Sequence, residues 1–91
     1  MPYINQQIRD DLDYEVERLI DKLLYLRPEL RGGALNYIIC TLAYRVWGLK
    51  DKMRYAAIAE AIGHVNCAAL ELYRRFAAPY EDKKMEENGD I

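Results

Sequence analysis

The chain has 91 residues and a mass of 10.7 kDa, with 52% apolar and 31% charged residues and a formal net charge of −2. That is one domain near the lower size limit for unaided folding, and no apolar run approaches the ~18–20 residues of a bilayer span. There is no serine, and only Thr41, His64, Cys40 and Cys67 represent their types; this excludes a Ser-His-Asp triad and falls one Cys/His ligand short of an intramolecular structural zinc site.

The first helix is predicted over about residues 13–26, capped by Asp11 or Asp13, with Glu15 and Glu17 near the positive end of its dipole. Leu12, Val16, Leu19, Ile20 and Leu23 form one core-facing stripe. Pro28 pushes Arg27 out of the helical region and ends the run, and Arg31-Gly32-Gly33 reads as a flexible turn.

The second helix is predicted over about 34–47, with Gly48 as its left-handed stop. Leu35, Ile38, Ile39, Leu42 and Val46 make one apolar stripe, and Tyr37, Cys40, Tyr44 and Trp47 make another. A helix apolar on most of its circumference must be covered on most of it.

The third helix is predicted over about 52–78. Tyr55, Ile58, Ile62, Val65, Ala69, Leu72 and Phe76 are spaced alternately by three and four, as in a helix that packs along its length at a shallow angle. Gly63 costs roughly 1 kcal/mol of helix propensity and marks a tight contact, a bend or a break. The polar tail, 79–91, reads either as a short helix opened by Pro79 and closed at Asn88-Gly89 or as a solvated arm.

The charge is partitioned. Residues 1–30 carry −3, residues 31–80 carry +4 and residues 81–91 carry −3. A basic middle between acidic ends suits chain-to-chain attraction or a small anion, and disfavours duplex nucleic acid, whose phosphates the acidic ends would repel. The opening Met1-Pro2-Tyr3-Ile4-Asn5-Gln6 lacks the regions of a signal peptide, and two cysteines in apolar helical patterns suit a reduced, cytoplasmic setting.

Size makes assembly the expected outcome. A compact globule of this length has a radius of gyration near 12 Å and a diameter of about 31 Å. A helix from Tyr55 to Ala78 would be about 36 Å long, against about 21 Å for the first helix. The third helix therefore projects past its neighbours or breaks at Gly63. The expected fold is an all-α three-helix bundle with a long third helix and a short C-terminal helix or arm, assembled as a homo-oligomer. Its interface is expected at Tyr37, Tyr44, Trp47, Ile58, Ile62, Val65, Ala69, Leu72 and Phe76.

Two constellations carry chemistry. Glu60, His64, Cys67, Glu71 and Arg74 share a line opposite the heptad seam. Imidazole, thiolate and carboxylates there could ligate a metal (Glu60, His64, Cys67, Glu71) or supply a Cys-His nucleophile pair, although HExxH and a paired ExxH are absent; an ordinary solvent face is the simpler reading. The second is basic and aromatic: Tyr73, Arg74, Arg75 and Tyr80, with Arg31 and Arg54 from the two loops. Guanidinium forks beside tyrosine rings suit an anionic, nucleotide-like ligand, though intersubunit salt bridging explains the same charges. No cofactor motif and no catalytic residue is assigned, which favours a binding protein over an enzyme.

The strings Leu35-Asn36-Tyr37-Ile38-Ile39 and Glu71-Leu72-Tyr73-Arg74-Arg75, with Ala78-Pro79-Tyr80-Glu81-Asp82-Lys83-Lys84, Asn88-Gly89-Asp90 and the Pro2-Tyr3-Ile4 opening, resemble a family of short all-α proteins of unknown function from bacteria and their phages. The resemblance covers most of the chain and implies no catalytic residue. A phage setting implies one idea by analogy: a small helical oligomer that sequesters a nucleotide signal of host defence.

Overall fold

Asn5 precedes Gln6-Gln7-Ile8, and its side chain accepts from the Ile8 amide at 3.0 Å, so the first helix opens there rather than at Asp11 or Asp13. The computed structural model describes residues 3–51 and 54–91; Lys52, the expected first residue of the third helix, and Pro2 of the opening string lie outside them. The chain is all-helical, with no strand among the described residues. In order come α1 (Gln6–Tyr25), α2 (Pro28–Val46), α3 (Tyr55–Leu72), a π-helical segment (Tyr73–Ala77) and α4 (Ala78–Asn88).

Pro28 does two things at once. It holds Arg27 extended (φ −59°, ψ 141°), which separates α1 from α2, and it occupies the first turn of α2, where a missing N–H costs nothing. The expected turn at Arg31-Gly32-Gly33 is therefore helical, and α2 starts six residues before Ala34. Arg31 supports the early start: its guanidinium donates to the Leu23 and Leu24 carbonyls at 3.1 and 3.0 Å, capping the end of α1. At the far end of α2, Gly48 (φ +61°) closes a Schellman motif, with the Gly48 amide on the Arg45 carbonyl and the Leu49 amide on Tyr44.

The long third helix does not break at Gly63. Nothing lies within 4 Å of where a Gly63 Cβ would stand, so a tight contact within the chain does not explain that residue. The rod instead widens further on. Pro79 has no amide hydrogen and its ring crowds the Arg75 carbonyl; the backbone answers with a π-turn in which the Ala78 amide reaches Tyr73, five residues back. Leu72, Tyr73, Ala77 and Ala78 all keep right-handed helical dihedrals. Pro79 thus continues a helix rather than opening a separate one, and the tail is helical to Asn88, with Gly89 (φ +87°) ending it. Residues 55–88 form one rod of about 50 Å at 1.5 Å per residue.

The expected bundle stays open. α1 packs on α2 and α2 packs on α3, but α1 and α3 do not pack on each other. The radius of gyration is 16.7 Å and the longest dimension 51 Å, against about 12 Å for the radius of a compact chain of this length. The only buried apolar residues among those described are Ala57 and Ala61, where α3 meets α2. Of the α1 stripe expected to face a core, Leu12, Val16, Leu19 and Ile20 are exposed and Leu23, nearest the turn into α2, is half-buried.

Candidate functional site

The basic-aromatic residues expected at one site occupy three places. Arg31 is committed to the end of α1. Arg54 lines a shallow recess with Trp47, Gly48 and Asp51 at the α2–α3 turn. Tyr73, Arg74, Arg75 and Tyr80 lie on and beside the π-turn. Only this last group forms a cluster, and residues the sequence did not single out for it complete that cluster.

Its centre is Glu71. One carboxylate oxygen accepts from Arg75 Nε at 2.5 Å, from Arg74 Nη2 at 2.6 Å and from the Tyr3 hydroxyl at 2.7 Å. The Tyr3 oxygen in turn accepts from Arg74 at 2.8 Å, and the Arg75 guanidinium lies 6.0 Å from the Tyr3 ring centre. The segment before α1 is thereby tied to the end of α3, 68 positions away. Hydrogen bonds from Arg75 and then Tyr3 hold the Glu71 carboxyl at about 2, well below its ordinary 4.5. The same bonds push both arginines further above their usual range. Beside this knot the Tyr73 hydroxyl donates to Glu81 at 2.5 Å across the π-turn, which raises the phenol's pKa. Tyr80 carries the Lys84 ammonium 5.6 Å from its ring centre.

The alternative metal set is not gathered. Glu60 approaches His64 at 3.9 Å, His64 stacks on Trp47 with ring centres 5.7 Å apart, and Glu71 is turned to its arginines. Among the described residues no three His, Cys, Asp or Glu side chains converge to hold a cation. Cys40 and Cys67 are both free thiols.

The expected interface residues lie differently. Tyr44, Trp47 and Ile58 are half-buried, whereas Tyr37, Ile62, Val65, Ala69, Leu72 and Phe76 are exposed. Between α2 and α3 runs an open groove of about 350 Å³ lined by Ile39, Ala43, Tyr44, Leu49, Ile62 and Val65. No helix of the described residues is long and apolar enough to cross a membrane, so these faces do not make a membrane span.

A family model, described as a domain of unknown function (DUF6899), matches residues 1–91. The chain belongs to the DUF6899 family. No curated protein and no solved structure matches it. Family membership assigns no activity, so the groove, the seam and the arginine–tyrosine knot carry the functional reading.

Proposed function

We propose that this DUF6899 protein is a non-enzymatic assembly protein whose folded unit holds more than one copy of the chain. The observation that carries this reading is surface. One chain exposes 8194 Å², whereas a compact monomer of 10.7 kDa exposes about 5,500 Å². The excess of about 2,700 Å² includes apolar faces on all three main helices, and closed symmetric association is the common way to cover such faces. Light scattering at micromolar concentration should give an integer multiple of 10.7 kDa, and a mass of one chain overturns the reading. The chain would act in the cytoplasm, the host's if its origin is a phage.

A second reading adds a ligand to the same assembly. The exposed guanidiniums of Arg74 and Arg75 beside the Tyr3, Tyr73 and Tyr80 rings suit an anionic planar molecule of the nucleotide class. Glu71 already neutralises both guanidiniums and takes a donor from each, so a phosphate would compete with it, which places this reading second to assembly. A nucleotide at 100 times its dissociation constant would add about 2.7 kcal/mol and raise the melting temperature. An unchanged melting temperature across a panel of mononucleotides and cyclic dinucleotides removes the ligand and leaves a structural or adaptor role for the assembly.

A further inference from the structure

The spacing of the α3 seam reads the same in both directions. Ile58, Ile62 and Val65 precede Cys67 by nine, five and two residues; Ala69, Leu72 and Phe76 follow it by two, five and nine. At 3.6 residues per turn, Ile62, Val65, Ala69 and Leu72 lie within one narrow stripe of α3. Their exposure in the single chain is large: Ile62 is 55% exposed, Leu72 61% and Phe76 68%. α2 covers the neighbouring side of α3 at Ala57 and Ala61 and the edge of the stripe at Ile58, and α1 does not pack on α3, so most of the stripe is without a partner within the chain.

The geometry points to a second copy as that partner, with two α3 helices packed antiparallel about a two-fold axis that passes at the level of Cys67. This inference rests on the assembly reading and specifies its surface. In that register Ile62 faces the partner's Leu72 and Val65 faces the partner's Ala69, while Ile58 lies level with the partner's Phe76 at each outer end. Two arguments select it. It shares the one small residue between two layers, Ala69 lying against the partner's Val65 in each, whereas a parallel pairing would set Ala69 against its own copy. Moreover, Ile62 and Val65 form one wall of the α2–α3 groove, so the antiparallel register lays the partner's Leu72 beside that apolar space. A two-fold interface brings the same patch of both copies together, and the symmetric spacing of the stripe keeps its residues in layers when it does so. Standard interfaces bury about 800 Å² per partner, about a third of the roughly 2,700 Å² by which the whole chain exceeds a compact monomer.

The test uses the full chain with Cys40→Ala and Cys67→Ala as background. One form carries Val65→Cys and another Ala69→Cys. Co-expressed and oxidised, the two forms should give a covalent dimer containing one chain of each, while neither form alone should cross-link. Cross-linking of Ala69→Cys with itself would mean a parallel pairing and overturn the register. An assembled mass without any cross-link would place the interface on another face, such as the α1 stripe; this inference then falls while the assembly reading stands. A mass of one chain for the unmodified protein ends both. A second measurement does not depend on disulfide geometry. Ile62→Glu and Leu72→Lys should each reduce the scattering mass to one chain, with helical circular dichroism retained, and co-expression of the two should restore the assembled mass. Failure of either substitution to lower the mass overturns the assignment.

Discussion

One rod, 55–88, passes through two solvents. Over its first 18 residues α3 carries two acidic side chains, Glu60 and Glu71, and otherwise little but alanine and large apolar groups. Over its last 11, α4 carries Glu81, Asp82, Lys83, Lys84, Glu86 and Glu87. Both halves hold the same backbone, yet only the first has surface that water penalises. The difference teaches that helix formation and helix burial are separate demands. α4 meets the first with an i, i+3 pair between Lys84 and Glu87 at 3.2 Å and needs no neighbour, whereas α3 is helical but still lacks cover on one side.

That contrast can be broken most severely where α3 is already covered. Ala61 is 2% exposed where α3 meets α2, so a larger side chain must push α2 aside or turn into the groove that Ala61 borders; Ala61→Leu should cost about 1–3 kcal/mol and lower the melting temperature by roughly 4–8 °C per kcal/mol. A matching substitution at the exposed Ala59 should change little; an equal loss at both would show that the α2–α3 contact is not the stabilising one. At the junction of the two halves, Pro79→Ala restores an amide and removes the clash with the Arg75 carbonyl. The π-turn should revert to α-helix, with a gain of about 1–3 kcal/mol. Reversion also parts Tyr73 from Glu81, and the phenol should return toward its ordinary pKa in a spectrophotometric titration.

A smaller effect sharpens the comparison inside α3. Gly63 has open space around its missing Cβ, so Gly63→Ala should stabilise the helix by about 1 kcal/mol; destabilisation would reveal a partner atom at that point. The mildest perturbation is acid. Glu71 titrates near 2 when folded and near 4.5 when free, so its contribution is complete above 4.5 and is lost as pH falls through about 2. Amide protection around Tyr3, taken relative to the intrinsic exchange rate at each pH, should fall over that window in the native protein, and Glu71→Gln should show the lower protection at neutral pH with no further acid step.

Much of the fold was legible because a few residues have one structural use. Gly48 stops α2 as its neighbours predict, Gly89 ends the tail, and the three-four spacing from Tyr55 onward marks the long helix. Errors arose where one residue serves two elements. Pro28 was legible as the end of α1 but not as the start of α2, and Gly32-Gly33 argued for a turn although Arg31 stabilises the helical alternative by binding the Leu23 and Leu24 carbonyls. Asn5 was a cap ahead of Ile8, and Ile8 extends the Leu12–Val16 stripe by four residues, a signal that would have moved the helix start. The knot was half legible. Arg74 and Arg75 were visible as a pair, and Glu71 stands three and four residues before them, a spacing that by itself predicts ion pairs. Tyr3 was not, because a contact across 68 positions leaves no trace in local spacing.

The π-turn at Tyr73–Ala77 has one more consequence. An extra residue in a single turn advances every later side chain by about 100° around the axis, so whatever stripe runs along α3 is thrown out of phase beyond Ala77. Two such rods paired as proposed would engage only as far as their shared thread runs. The proline-induced slip would then act as a built-in terminus: it would set the length of the proposed contact and deny the polar end the phase needed to recruit further rods into a fibre.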